Sequence, residues 1–180
     1  MLSYRHAFHA GGAADVLKHS VLAFCLDYMV KKEKPLLCVD THAGAARYSL
    51  HEGYAAQNRE WEQGLGKLLG APADLPPLLR RYLEACFPDG VSVTPGVLVT
   101  PDVPAAPAEY PGSPLIMARL LRPGDRLVCC ELHPADYAAC ASALSSRAEI
   151  RQADGLASLN GLLPPPSRRY DKSMRLPGIL

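Results

Sequence analysis

The chain has no apolar run approaching the ~20 residues that cross a bilayer. Its first residues, Met1-Leu-Ser-Tyr-Arg-His-Ala-Phe-His9, hold no apolar stretch of the kind a secretory signal needs. Net charge is nearly absent: 19 Lys and Arg against 18 Asp and Glu leave +1. That excludes a globally basic nucleic-acid coat and an acidic solvating tail, leaving room for a local basic face. The six cysteines, at 25, 38, 86, 129, 130 and 140, never form Cys-x-x-Cys, and Cys38, Cys129 and Cys130 lie inside apolar runs. Such spacing speaks against zinc, which needs clustered Cys/His pairs, and predicts reduced, buried thiols in a cytoplasmic protein. Internal repeats are missing too.

What is present is a 180-residue chain, 48% hydrophobic and 21% charged, enough for one globular domain with a sizeable core. From Asp15 to about Lys32, Leu17, Val21, Phe24, Cys25, Tyr28 and Met29 recur at helical spacing, with Asp15 in the first turn and Lys31 and Lys32 in the last. Leu36–Asp40 and Arg126–Glu131 are short apolar runs ending in a carboxylate, the pattern of buried parallel strands, and Ala148–Arg151 reads as a third, short one. Helices are expected over about Tyr54–Leu69, Leu75–Phe87, Leu115–Leu121, Pro134–Ser145 and Leu156–Leu162, with Ser113 as a cap before Pro114. The Pro-rich stretch from Pro95 to Pro114 reads as an exposed loop. Strands alternating with helices predict an α/β domain with a parallel sheet, the helical pair between its first two strands being an insertion.

Ligands of open parallel sheets bind beyond the carboxyl ends of the strands. Three such ends carry polar punctuation here: Asp40 with Thr41-His42, Glu131 with Leu132-His133, and Asp154-Gly155. Carboxylates on one rim suit ribose hydroxyls and amino groups. The first turn holds only Gly44 and lacks Gly-x-Gly-x-x-Gly, so a pyrophosphate has no backbone cradle. This disfavours NAD-dependent oxidoreduction and points toward S-adenosylmethionine, a nucleoside without phosphate. The simpler alternatives stay open at this point: loop-facing carboxylates, a turn histidine at His42, a plain helix cap at Ser113, ordinary polar positions at His6, His9 and His19, and a packed terminal ring at Tyr4.

Several ordered segments together resemble the bacterial 23S ribosomal RNA adenine-N6 methyltransferases of the RlmJ type. They are Met1 to Gly11, Ala14-Asp-Val-Leu-Lys-His19, Val39-Asp-Thr-His-Ala-Gly-Ala45 with Arg47-Tyr48, Tyr110-Pro-Gly-Ser-Pro-Leu115, Glu131-Leu-His-Pro134, Ala153-Asp-Gly155 and Pro165 to Arg169. The resemblance implies a Rossmann-like class I methyltransferase fold with a helical insertion subdomain and S-adenosyl-L-methionine as cofactor. By match, His19, His42, Ser113, Glu131, Asp154 and Gly155 are the implied cofactor contacts, with Glu131 on the ribose and Asp154 by the adenine amino group. Tyr4 is the implied contact to 23S rRNA, with Arg5 and Lys18 near phosphate. The implied organisation is an N-terminal RNA- and cofactor-contacting segment over 1–34, a cofactor-binding domain over 35–52 and 110–169, an insertion over 53–109 and a divergent tail over 170–180. Neither a membrane nor a metal is implied.

The sequence departs from the family at four places. Gly12-Ala13 replaces Asn and a larger residue, Ala46 stands where Gly is frequent, and the Pro-rich stretch around Val103 looks like an extension. After Arg169, where the family has an apolar strand ending in Asp-Pro-Pro-Tyr, the chain reads Tyr170-Asp-Lys-Ser-Met-Arg-Leu-Pro-Gly-Ile-Leu180. In the family that motif orients the adenine amine and stacks on the base. The resemblance therefore implies no catalytic residue in this chain, an inactive truncated form, and a sheet missing its C-terminal half. The strand at Leu36–Asp40 would then be an uncovered edge, giving marginal stability and a tendency to associate where the intact protein is a monomer. The alternative is a non-catalytic module that binds S-adenosylmethionine or RNA.

Overall fold

The computed structural model describes residues 6–71, 75–90 and 107–163. Tyr4, Arg5, the Pro-rich stretch around Val103 and the divergent tail lie outside the described residues.

Three parallel strands form the main sheet: β1 (Leu37–Asp40), β4 (Arg126–Cys130) and β5 (Glu149–Arg151), in the order β1-β4-β5. The register sets Asp40 against Cys129 and Cys130 against Arg151, so the three chain exits share one edge of the sheet. Alternation along the strands divides the core. Cys38, Leu127, Cys129 and Ile150 pack with Leu26, Leu115 and Leu144 on one face. Leu37, Val39, Val128 and Cys130 pack with Leu162 on the other. Helices α1 (Ala13–Met29), α5 (Ser113–Leu120) and α6 (Pro134–Leu144) supply the first face, and α7 (Gly155–Leu162) the second. This is the doubly wound α/β arrangement the sequence predicts.

A second sheet pairs β2 (Arg47–Ser49) with β3 (Glu109–Pro111) antiparallel, Tyr48 opposite Tyr110. Sequence reasoning missed both strands. Each is three residues long, and the partners are separated by the whole excursion that they close at its base. Within that excursion the single helix expected over Tyr54–Leu69 is broken into α2 (Gly53–Asn58), a 3-10 turn (Glu60–Gln63) and α3 (Leu65–Leu69). Arg59 adopts a left-handed conformation, φ 50°, and Gly64 lies against the N-terminal loop. A β-carbon on Gly64 would stand 2.3 Å from the Gly12 carbonyl carbon, and the Leu65 amide donates to the Gly11 oxygen at 2.9 Å. The break thus docks the turn, with buried Trp61, on the segment leading into α1. Helix α4 (Pro77–Cys86) is the last described helix of the excursion and packs on α1 through Tyr82 and Ala85.

The apolar periodicity of α1 does not mark its buried face. Its buried residues are Asp15, His19, Ser20, Ala23 and Leu26. The apolar stripe is outside: Leu17, Val21, Phe24 and Tyr28 are 67%, 49%, 56% and 61% exposed. Cys25 is exposed as well, against the expectation of a buried thiol, and Lys31 and Lys32 follow the helix rather than ending it. The small residues Ser20 and Ala23 allow close packing against α4 and α5, and that contact decides which face turns inward. Among the described residues the outer edge of β1 pairs with no strand. An unpaired edge and an apolar stripe are both adhesive. The chain is expected to associate with rising concentration in light scattering, and Leu17→Lys with Phe24→Lys is expected to suppress this. A wild-type chain that stays monomeric over the same range would show that the stripe does not drive association.

Candidate functional site: a polarised cleft beyond the carboxyl edge

A cleft of about 620 Å³ opens where β1, β4 and β5 end, a size suited to a small organic ligand. Its lining includes His6, Lys18 and His19, from the N-terminal segment and α1, and Glu131, Asp136 and Asp154, from the segments after β4 and β5, together with Thr41, His42, Gly44, Tyr48, Ser113 and Gly155. The first three residues form its basic pole and the three carboxylates its acidic pole. All six residues implied as cofactor contacts, His19, His42, Ser113, Glu131, Asp154 and Gly155, lie on this one cleft.

The acidic pole is organised through the backbone. The Gly44 amide donates to Glu131 Oε2 at 2.8 Å and the His133 amide to Oε1 at 2.7 Å. The carboxylate thereby ties the turn after β1 to the turn after β4 while keeping spare acceptor capacity. Asp40, a candidate rim carboxylate, is turned to structural use. It accepts from the His42 amide at 3.1 Å and from Ser113 Oγ at 2.6 Å. Ser113 is accordingly not the cap of α5. Gly112 takes that position, and the serine hydroxyl instead joins the start of α5 to the end of β1. Asp154 caps α7, accepting from the Ala157 amide at 3.1 Å, and remains exposed.

Two close approaches shape the floor. Gly44 has φ 62°, and a β-carbon there would fall 2.1 Å from the Tyr48 hydroxyl, which itself receives the Ala45 amide at 3.1 Å. At Gly155 a β-carbon would lie 2.1 Å from the Thr41 oxygen. Ala46, one of the departures from the family, is buried at φ 66°, a conformation that favours glycine.

The basic pole is built around a buried carboxylate that sequence reasoning placed merely in the first turn of α1. Asp15 Oδ2 takes the His6 Nε2 proton at 2.9 Å and the Gly11 amide at 3.1 Å, and Oδ1 meets Lys18 Nζ at 3.0 Å. Burial alone would raise its pKa. Bonds and charge from His6, His19 and Lys18 outweigh burial and hold it at about 2. His19 is 6% exposed, and burial, aided by the charges of Lys18 and His6 against the pull of Asp15, lowers its pKa to about 4.

The His19 shift gives a pH prediction. The unfolded imidazole takes its proton near its ordinary 6.5, the folded one only near 4. Between those values the unfolded chain binds the extra proton, so stability falls as pH falls through that window, by about 3 kcal/mol in all. Asp15 acts lower down: its contribution is full above the ordinary carboxylate value and disappears toward pH 2. Chemical denaturation at stepped pH checks this. His19→Gln is expected to flatten the profile between pH 6.5 and 4; an unchanged slope would show that another group carries it.

Among the described residues no group of three or more His, Cys, Asp or Glu side chains is placed to hold a metal ion, and no helix is long and apolar enough to cross a membrane.

A doubly wound parallel sheet with a polar cleft past its carboxyl edge and a helical excursion beside it defines a methyltransferase-like Rossmann domain. The model of the family described as ribosomal RNA large subunit methyltransferase D, RlmJ, matches residues 33–170. The chain belongs to that family. Ribosomal RNA large subunit methyltransferase J of Escherichia coli K12 is 43% identical over 171 residues, 94% of this chain and 56% of the relative. Its Haemophilus influenzae namesake is 36% identical over 174 residues, 94% of this chain and 57% of the relative. A crystal structure of a Legionella pneumophila protein superimposes with a TM-score of 0.72 at 31% identity, over 89% of this chain and 55% of that one. The chain thus spans just over half the length of the curated relatives it matches.

Proposed function

We propose that the cleft binds S-adenosyl-L-methionine and that the protein carrying this chain transfers its methyl group to N6 of an adenine in 23S ribosomal RNA. The observation that carries the reading is the mixed lining of the cleft. One cleft of ligand size is lined both by nitrogen donors (His6, Lys18, His19) and by carboxylates (Glu131, Asp154). A nucleoside with an amino-acid tail matches both poles: its carboxylate suits the first, its ribose hydroxyls and adenine amine the second. The donor and acceptor set therefore fits the cofactor. Glu131, with an acceptor position left on each oxygen, would take the ribose hydroxyls. Asp154 would take the adenine amine, His19 and Lys18 the carboxylate, and His42 and Ser113 the middle of the ligand. Gly155 would keep the wall thin enough for the base to lie against it. When bound, the cofactor supplies an electrophilic methyl group. The chain's part is to hold and orient it.

The segment over 1–34, with Tyr4, is read as the part that contacts both RNA and cofactor, residues 53–109 as the insertion, and 35–52 with 110–169 as the cofactor domain. A second reading is favoured by one observation: the sequence contains no Asp-Pro-Pro-Tyr. On that reading this chain binds cofactor or RNA without transferring the methyl group.

Calorimetric titration of S-adenosylmethionine, with NAD as the comparison ligand, tests the cleft. Saturable binding of the first alone is expected, and its absence would overturn the cofactor reading. Incubation of the chain with labelled cofactor and protein-free 23S rRNA then separates the two readings. Label recovered as N6-methyladenosine supports transfer; bound cofactor without label supports the binding module.

A further inference from the structure

The basic pole contains a chain of buried hydrogen bonds with no part in the reading above. His19 Nδ1 lies 2.7 Å from the Tyr110 hydroxyl, which lies 3.0 Å from the Tyr82 hydroxyl. Both tyrosines are fully buried. The three residues come from α1, β3 and α4, so the chain joins the cofactor domain to the inserted helices. No surface water sets the direction of these protons, and the inventory of acceptors must do so. Tyr82 can donate to the Tyr110 oxygen or to the Cys86 sulfur beside it. Sulfur is the weaker acceptor, so the Tyr82 proton goes to Tyr110. Tyr110 then has one acceptor for its own proton, His19 Nδ1. An imidazole that accepts at Nδ1 and is neutral carries its proton on Nε2. Burial keeps His19 neutral at pH 7. His19 lines the cleft beside Lys18, and with Nδ1 committed to Tyr110, Nε2–H is what it offers the ligand.

We propose that Tyr110 is a positioning residue that fixes His19 as a hydrogen-bond donor and makes this side of the cleft a carboxylate subsite. The alternative tautomer would present a lone pair to the ligand and repel a carboxylate. The inference rests on the cofactor reading and specifies which part of the ligand this side selects.

The test uses two ligands that share the nucleoside and differ in the tail. S-adenosylhomocysteine carries the amino-acid carboxylate; 5′-methylthioadenosine lacks it. In Tyr110→Phe the first is expected to lose about tenfold in affinity and the second less than about twofold, since only the carboxylate bond depends on the tautomer. Equal losses for both ligands would make Tyr110 merely structural and overturn the proposal. Tyr82→Phe is the control: it leaves Nδ1 as the only acceptor for Tyr110 and is expected to change either affinity by less than about threefold, whereas a selective loss of S-adenosylhomocysteine as large as that of Tyr110→Phe would overturn the assignment to Tyr110. Nitrogen-15 spectra of the wild-type chain read the tautomer without any substitution. A proton on Nε2 of His19 supports the proposal and one on Nδ1 overturns it. A wild-type chain that binds neither ligand would instead overturn the cofactor reading, and the subsite with it.

Discussion

Glu131→Ala is expected to abolish measurable S-adenosylmethionine binding and to lower stability by about 2 kcal/mol. The stability loss follows from the two backbone amides, Gly44 and His133, that the carboxylate receives at 2.8 and 2.7 Å. Hydrogen bonds to a charged acceptor contribute about 1.5–3 kcal/mol each, and water entering this half-buried site recovers part of that. The binding loss has two sources. On the proposed reading the ribose hydroxyls lose their acceptor, and the turns after β1 and β4 lose the group that ties them together. Together these predict a fall of about 100-fold or more in affinity. Glu131→Gln separates the two. The amide keeps the shape but must present its NH2 group to one of two amides that both need an acceptor. An intermediate loss of about 1 kcal/mol in stability and about tenfold in affinity is expected. Thermal unfolding and calorimetry on the same preparations check both. Glu131→Ala binding within about threefold of wild type would remove the residue from the site.

The sheet was legible in the sequence because apolar strands that end on carboxylates leave a local mark. Leu36–Asp40 and Arg126–Glu131 differ from the observed strands by one residue at an end. The rim residues were legible for the same reason: Glu131 and Asp154 stand at strand exits, and parallel register brings the exits together. What stayed hidden was decided by contacts distant in sequence. Periodicity placed the apolar residues of α1 on one side, yet packing of Ser20 and Ala23 turned the other side inward. The helix expected over Tyr54–Leu69 breaks because Gly64 meets Gly11 and Gly12. Ser113 has the local look of a cap, and only the partner Asp40, at the end of another element, reveals its use. Tyr110 precedes Pro-Gly-Ser-Pro and so stood within a matched motif, but its partners His19 and Tyr82 lie far away in the chain.

The site and the fold therefore depend on the same few contacts. Asp40 serves the strand end and the start of α5 together. Glu131 serves two turns and, on the proposed reading, the ligand. Asp15 gathers His6, Lys18 and the backbone before α1 into the basic pole. Each of these carboxylates is satisfied by neighbours before a ligand arrives, which leaves little reorganisation to oppose binding.

Gly155→Ala is expected to be among the most damaging single-methyl additions in the chain. A β-carbon at this position would stand 2.1 Å from the Thr41 oxygen, 2.5 Å from its Cα and 2.6 Å from its carbonyl carbon. All three atoms are backbone, so no side-chain rotation relieves the overlap. Either the start of α7 moves off the turn after β1 or that turn moves instead. The first option also strains the one described helix on this face of the sheet, where Leu162 packs on Val128 and Cys130. Overpacking of this kind costs about 3 kcal/mol, a drop of roughly 10 °C in Tm for a domain of this size. The cleft suffers with the fold, because Asp154 and His42 adjoin the two sides of the contact and separate with it. On the proposed reading S-adenosylmethionine affinity is expected to fall at least about tenfold, as the base would lose one wall and one acceptor. Gly161→Ala is the control within the same helix. Nothing lies within 4 Å of a β-carbon there, so helix propensity alone acts and Tm should hold or rise. Differential scanning of the two variants side by side decides the matter. If Gly155→Ala melts with Gly161→Ala, the close approach of α7 to Thr41 does not set the width of the cleft.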